Sequence, residues 1–595
     1  MSTHTDRLAA FRQQLAAQGL DGFVIPLTDE HMSEYVGSYA QRLGWLTGFE
    51  GSAGSAAVLE TQAAIFTDGR YTLQVRQQVD GAHWSYEPVP ESSPADWLKA
   101  HAKAGARIGY DPWLHRGDWV KKTREMLAAK GAELVAVADN PIDAVWTDKP
   151  QPSKAALIVH PERLAGRSSA DKRQAVADWL GEQGADAAVL AALDSIAWTF
   201  NLRGSDVART PVGLAFALVH SDGTADLFVE GEKVTAELRQ HLGNGVRLHE
   251  RADFTAKLGE LGGKTVAVDP ERSVAAISEA LEGAGAKIIA LRDPTVLPRA
   301  IKNEAEIAGQ RAAQTRDGAV MTRFLKWVAE HEGELDELKA SDRLEAIRRE
   351  DPTLRDLSFD SISAFGANAA SPHYHSTEKS NVPFRPGSLY LIDSGGQYED
   401  GTTDITRTVA VGEPSQEMRE RFTRVLQGHI AIDRALFPKG TRGGQLDSFA
   451  RRPLWEAGLD YAHGTGHGVG SFLSVHEGPQ RIAPVGGAYA GGDEPLQAGM
   501  ILSNEPGYYK EGEYGIRIEN LVLVVEKEVP GAEKPMLGFE TLTFAPIDRR
   551  LIVTGMLSEA ERQWVDAYHA EVVRRIGPGL GAEERAWLEE QCAPL

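Results

Sequence analysis

Cysteine is nearly missing from this sequence: the 595-residue chain has one, Cys592. That excludes a disulfide framework, zinc fingers and iron–sulfur centres, and a lone thiol three residues from the C-terminus is a poor nucleophile candidate. Positive charge is in short supply as well. Against 85 Asp and Glu stand 63 Lys and Arg, for a formal charge of −22. Such a balance repels nucleic acid and anionic lipid surfaces, without excluding a small cationic or zwitterionic substrate. No apolar run approaches the length of about 18 residues that a membrane span requires. The opening segment MSTHTDRLAAFRQQLAAQGL is charged throughout and lacks the apolar core of a signal peptide. The expectation is a soluble, cytoplasmic protein.

What the chain does have is an ordinary globular composition, 42% apolar and 25% charged. At roughly 100–200 residues per domain, that length suggests about three or four domains. Residues 6–18 carry apolar positions at helical spacing, GLDGFVIPL reads as turn and strand, and VLE with TQAAIFTDG reads as a strand pair followed by a helix over 71–78. Three prolines in the polar stretch 139–157 suggest a linker. A second helix–strand series follows, and it echoes the first: Trp45 precedes Gly51-Ser52 as Trp198 precedes Gly204-Ser205, with Asp-Gly turns later at Asp68-Gly69 and Asp222-Gly223. This points to a duplicated α/β domain. Beyond about Asp293 a long helical pattern runs from Ile301 to Glu332. Short β-like runs then alternate with Gly-rich turns, with helices near 415–437, 443–457 and 558–575 and a charged tail. The expected domains are 1–150, 151–296 and 297–595.

Several chemistries can be set aside. Gly262-Gly263-Lys264-Thr265 has the ending of a phosphate loop, but Leu258 stands where its first glycine belongs and a strand follows in place of a helix. There is no G-x-S-x-G elbow, and His331-Glu332 and His476-Glu477 lack the second histidine of a zinc-protease helix. The third region holds something else. Asp393 ends the run SLYLID, Asp404 lies in DGTTDITRT, His467 in HGTGHGVG, Glu505 in SNEPG and Glu519 in IRIEN. Singly, each has a bland explanation as a turn former or a solvated strand end. Together, four carboxylates and an imidazole form a hard, oxygen-rich set that suits two divalent ions such as Mn²⁺. Two such ions would neutralise four buried carboxylates and lower their desolvation cost.

The segments LIDSGGQYEDGTTDITRT, HGTGHGVG, NEPGYY and GIRIENLVLV resemble the metal-binding motifs of aminopeptidase P (Xaa-Pro aminopeptidase), whose catalytic fold is shared with prolidase, methionine aminopeptidase and creatinase. TDGRYTLQ, LDSIAWTFNLRGSDV and TFAPIDRRLI extend the resemblance along the chain, to the long three-domain cytosolic members. It implies an α/β (α+β) protein: two related N-terminal α/β domains followed by a pita-bread catalytic domain of the creatinase/methionine aminopeptidase type.

The resemblance also assigns roles. Asp404 and Glu519 bridge two ions, most readily Mn²⁺ with Zn²⁺ or Co²⁺ as alternatives; Asp393 holds one ion, and His467 with Glu505 the other. His373, His463 and His476 match three active-site histidines that are not ligands; His373 and His463 also contact substrate, and His476 or His373 donates to the oxyanion. Two such ions would acidify a bridging water for attack on the first peptide bond, and Glu505 would take that water's proton and pass it to the leaving nitrogen. Arg517 supports the site and contacts substrate. Arg70 is a further substrate-binding candidate, with a structural ion pair as the alternative. Creatinase lacks the ligands, and all five are present here, which favours hydrolysis. The implied substrates are small peptides with proline in second position, and the implied assembly is a homodimer through the catalytic domain. A prolidase-like dipeptidase on the same site and a non-catalytic peptide-binding scaffold are the alternatives. The segment between His476 and Glu505 is longer than the family pattern suggests.

Overall fold

Thr3 caps the first helix, His4–Ala17: its hydroxyl accepts the Asp6 N–H, the Asp6 carboxylate accepts the Thr3 N–H, and Leu8, Phe11 and Leu15 bury one face. A computed structural model describes residues 3–486 and 491–595, in two units, Met1–Val296 and Leu297–Leu595. Residues 487–490, within the long segment between His476 and Glu505, lie outside the described residues.

The first unit holds two six-stranded sheets. One contains β1 (Gly22–Pro26), β2 (Ser55–Leu59), β3 (Ala63–Thr67), β4 (Ser85–Pro88), β5 (Arg107–Tyr110) and β6 (Glu133–Ala136), in the order β4-β3-β2-β1-β5-β6. The other contains β7 (Ala187–Leu190), β8 (Phe216–His220), β9 (Ala225–Phe228), β10 (Val246–His249), β11 (Thr265–Val268) and β12 (Lys287–Ala290), in the order β10-β9-β8-β7-β11-β12. In each, the first strand pairs antiparallel on one side (Phe23 opposite Val58, Val189 opposite Leu218) and parallel on the other. The same topology occurs twice, as the Trp45 and Trp198 echo predicts. The Asp-Gly echo is not structural. Asp222-Gly223 closes the hairpin β8–β9, whereas Asp68 caps the short 3-10 turn Gly69–Tyr71 beyond the end of β3.

Two stretches differ from the sequence reading. In the expected linker, Asn140 caps a short helix, Pro141–Val145, because Ile142 and Trp146 join the apolar core of the first sheet. The charged tail forms a further helix, Ala582–Gln591, which buries Leu588 against the core of the second unit.

In the second unit a six-stranded sheet runs Leu436–Pro438, Met536–Thr541, Asn520–Lys527, Ile501–Asn504, Gly466–Gly468, Glu477–Ile482. A three-stranded antiparallel sheet, Ile362–Phe365, Ser388–Ser394 and Ile405–Val411, sets Asp393 opposite Thr406. Helices Gln416–Asp433 and Glu559–Ile576 supply Phe422, Leu426, Val565 and Val572 to a core that also takes in Tyr514 and Ile516. No helix among the described residues is long and apolar enough to cross a membrane.

Several histidines are buried as neutral rings. Burial lowers His115 to about 3 and, with Arg251 nearby, His31 to about 4; the ring of His115 stacks on Trp119 with centroids 4.0 Å apart. A ring whose native pKa lies below its unfolded value contributes stability that is complete above about 6.5 and drains away as pH falls toward the native value. Relative to a His115→Phe variant, the wild-type chain is expected to lose about 1.4 kcal/mol for each pH unit below about 6.5. Urea unfolding of both at pH 7 and pH 5.5 checks this, and equal changes in the two proteins would contradict it.

Candidate metal centre

Glycine shapes the strand that carries the imidazole. A Cβ on Gly466 would lie 2.0 Å from the Ser503 carbonyl oxygen, so only glycine lets Gly466–Gly468 run this close to Ile501–Asn504. The backbone N–H of His467 then donates to Ser503 Oγ at 2.9 Å, and the Glu505 N–H to the Thr465 carbonyl at 2.8 Å. His467 and Glu505 are thereby fixed side by side. On the other sheet Asp393 sits near the end of Ser388–Ser394, and Asp404 immediately precedes Ile405–Val411. Glu519 lies at the break between strands Tyr514–Arg517 and Asn520–Lys527, which the sequence reads as one run. Its N–H donates to the Thr406 carbonyl at 3.2 Å, and its Oε2 accepts the Thr406 hydroxyl at 2.7 Å.

The five residues converge. Asp393, Asp404, His467 and Glu519 are buried and Glu505 largely so. Asp404, His467 and Glu519 offer ligand atoms that lie within 4.8 Å of one another. His467 donates its Nδ1–H to the Gly468 carbonyl at 2.9 Å, which leaves Nε2 facing Asp404 Oδ2 at 3.4 Å and Glu505 Oε1 at 3.5 Å. Asp393 Oδ1 is buried and receives no N–H or hydroxyl donor.

Electrostatics say the same. Burial, then the neighbouring Asp393, pushes the Asp404 carboxyl well above the ordinary carboxylate range. Burial, then Asp404, does this to Glu519, and burial also raises Glu505. Arg517 offsets one of these charges. Its Nη2 donates to Asp393 Oδ2 at 2.7 Å, Nη1 to the Tyr509 hydroxyl at 2.7 Å, and Nε to Thr406 Oγ1 at 3.1 Å. Burial alone would lower the guanidinium, but Tyr509, Asp393 and Glu505 outweigh it and hold it well above its usual value. A pocket lined by four carboxylates, with one imidazole nitrogen turned toward two of them, fits hard divalent cations.

Among the histidines, His476 packs edge-on against His467 with centroids 4.3 Å apart. The adjacent Glu477 is buried with Arg299, 3.2 Å from its Oε2, and with Lys302, which binds its Oε1. His463 donates Nδ1–H to the Gly464 carbonyl and accepts the Tyr509 hydroxyl at Nε2, both at 2.8 Å, so it joins the cluster through Tyr509 and Arg517. His373 is half-buried on the loop after the 3-10 turn Gly366–Ala370, next to Tyr374, whose hydroxyl donates to Glu337 at 2.9 Å. Arg70 belongs to the unit Met1–Val296, where its Nε and Nη2 fork onto the two oxygens of Asp68 at 2.9 and 2.7 Å, the geometry expected of a structural ion pair.

Sequence reasoning missed Tyr509 and Thr406, which link Arg517 to His463 and to Glu519. It also missed His429, whose Nδ1–H donates to the Asn504 carbonyl at 3.1 Å and whose Nε2 accepts from Asn520 at 3.2 Å, beside Glu505 and Glu519.

Residues 308–526 match metallopeptidase family M24, and 535–595 the C-terminal region of that peptidase. Residues 7–145 and 148–306 each match a creatinase/prolidase N-terminal domain. Over 99% of this chain and 88% of its own length, Aminopeptidase P2 of Arabidopsis thaliana is 39% identical. A probable Xaa-Pro aminopeptidase P of Paracoccidioides brasiliensis is 38% identical over 99% of both chains. A crystal structure of X-prolyl aminopeptidase from Caenorhabditis elegans, described as a cytosolic enzyme with a di-nuclear active site, superposes with a TM-score of 0.94 at 33% identity over 100% of both chains. With two creatinase-type domains before a pita-bread unit that carries this cluster, the chain belongs to the aminopeptidase P family of M24 metallopeptidases.

Proposed function

We infer that this chain is a metal-dependent Xaa-Pro aminopeptidase, which releases the N-terminal residue from peptides with proline in second position. The observation that carries the reading is His467 Nε2 facing the Asp404 and Glu505 carboxylates inside a cluster completed by Asp393 and Glu519. We assign two ions to this set, Mn²⁺ ahead of Zn²⁺ or Co²⁺. Asp404 and Glu519 would lie between them, Asp393 on one, and His467 with Glu505 on the other. Bound there, such ions polarise a peptide carbonyl and make water acidic enough to ionise near neutral pH.

The chain's own groups supply the rest. Glu505, whose carboxyl burial already raises, accepts the water's proton and returns it to the leaving nitrogen. His476, held beside His467 and anchored through Glu477, donates to the developing oxyanion, with His373 as the second candidate. Arg517, Tyr509 and His463 form one donor chain that fixes Asp393 and orients His463 toward substrate. Proline makes the scissile amide tertiary, without an N–H on the leaving side, so an enzyme that cuts it must hold the ring and not that N–H. Arg70 in substrate contact, a homodimer and a cytoplasmic location belong to the same proposal.

A prolidase-like dipeptidase on the same site is less well supported, since the relatives matched along the whole chain are named aminopeptidases P. The test is release of arginine from Arg-Pro-Pro, Arg-Ala-Ala and Arg-Pro, with EDTA and Mn²⁺ add-back. Cleavage of Arg-Pro-Pro alone, abolished by EDTA and restored by Mn²⁺, is expected. Cleavage of Arg-Pro alone would move the assignment to prolidase, and equal cleavage of Arg-Ala-Ala would remove the proline requirement. No cleavage with any metal would leave a scaffold.

A further inference from the structure

The two aspartates of the cluster share a support that neither touches. Asp317, on the helix Glu304–His331, and Arg348, on the helix Glu337–Arg348, form a buried ion pair, with Arg348 Nε donating to Asp317 Oδ1 at 2.7 Å. The pair reaches exactly one residue short of each carboxylate ligand. Arg348 Nη2 donates to Ser394 Oγ at 3.1 Å, and Ser394 follows Asp393. Asp317 Oδ2 accepts the Thr403 hydroxyl at 2.9 Å, and Thr403 precedes Asp404. Tyr398, on the short strand Gly396–Tyr398 between the two aspartates, donates its hydroxyl to Asp317 Oδ1 at 2.8 Å.

Side chains alternate across a strand, so Ser394 leaves the backbone on the face opposite Asp393, and the pair acts from behind the sheet. Thr403 and Gly396 are also tied to each other: the Gly396 N–H donates to Thr403 Oγ1, and the Thr403 N–H to the Gly396 carbonyl, both at 2.9 Å. The two backbones pass so closely that a Cβ on Gly395 would lie 1.9 Å from the Thr403 carbonyl oxygen. Ser394, Thr403, Tyr398, Asp317 and Arg348 are all buried, so water does not substitute for these hydrogen bonds.

We propose that the Asp317–Arg348 pair is a positioning element for the metal centre, fixing through Ser394 and Thr403 the separation of the Asp393 and Asp404 carboxylates. Groups that hydrogen-bond directly to a ligand govern metal affinity by about 10–100-fold, which sets the upper range for a pair that acts through the neighbouring residues. The proposal rests on the metal reading above. It places the effect on ion binding, apart from any effect on folding.

Removing one member of a buried ion pair strands the other, so the test leaves the pair in place and cuts its links. Ser394→Ala and Thr403→Val, singly and together, are compared with the wild-type chain and with Thr403→Ser, which keeps the hydroxyl. Each metal-free protein is titrated with Mn²⁺ by calorimetry, with bound metal counted by mass spectrometry and the melting temperature of the metal-free form recorded. The expected result is a loss of about 10–100-fold in affinity for at least one ion in the double variant, a smaller loss in each single one, and near wild-type binding in Thr403→Ser. Wild-type affinity and stoichiometry in a folded double variant would overturn the proposal while leaving the metal site standing. If the double variant does not fold, Ser394→Ala is judged by the same criterion. A wild-type chain that takes up no Mn²⁺, Zn²⁺ or Co²⁺ would overturn the metal reading itself.

Discussion

Glu519→Gln is expected to cost at least about 10³-fold in kcat/KM on Arg-Pro-Pro, with little or no loss of stability in the metal-free protein. The two halves of that result have one cause. Burial and Asp404 already hold the Glu519 carboxyl well above its ordinary range, so without metal the site keeps this charge only under strain. The amide preserves the shape and can still accept the Thr406 hydroxyl now bound by Oε2. Removing the charge therefore relieves the metal-free state. It also removes a ligand assigned to both ions, so bound Mn²⁺ should fall together with turnover. Calorimetric unfolding with EDTA, metal counting and steady-state kinetics on the same preparation check the three quantities. A variant that keeps both ions and near wild-type turnover would displace Glu519 from its bridging role.

The sequence made Asp393, Asp404, His467, Glu505 and Glu519 legible for a local reason. Asp393, Asp404, His467 and Glu505 each adjoin a short strand and a glycine-rich or proline-containing turn, Glu519 lies between two strands, and the five follow in a fixed order. The duplicated sheets were legible from one short echo, Trp45 with Trp198, although its Asp-Gly part proved coincidental. Contacts that no local pattern encodes stayed hidden. Asp317 lies 86 residues from Thr403 and Arg348 lies 46 from Ser394, and on a helix each reads as one more polar position. His429 had the same fault, being 75 residues from Asn504. The tail 582–591 reads as charged, yet Leu588 is buried in one core cluster of the second unit and Trp587 packs against another. The residues proposed as ligands announced themselves, and the buried polar groups behind them did not.

Arg517→Met carries the second large effect, and its two readouts should separate with metal. In the metal-free protein it leaves Asp393 buried without its cation, beside three further carboxylates. Loss of one partner of a buried pair costs about 3–5 kcal/mol. Ions at the site would supply the missing positive charge, so saturating Mn²⁺ should return much of that stability by mass action. Activity should not return. The guanidinium also donates to Tyr509, which in turn donates to His463, and to Thr406, which donates to Glu519. Losing that fork frees Asp393 and His463 at once, with an expected loss of about 10²–10³-fold in turnover. Arg517→Lys distinguishes charge from geometry. A single ammonium can pair with Asp393 but cannot span Asp393, Thr406 and Tyr509 together. Stability without metal should largely recover in the Lys variant, while kcat/KM stays within about tenfold of the Met variant. Full recovery of activity with Lys would mean that Arg517 matters only as a charge, and the donor chain to His463 would lose its role.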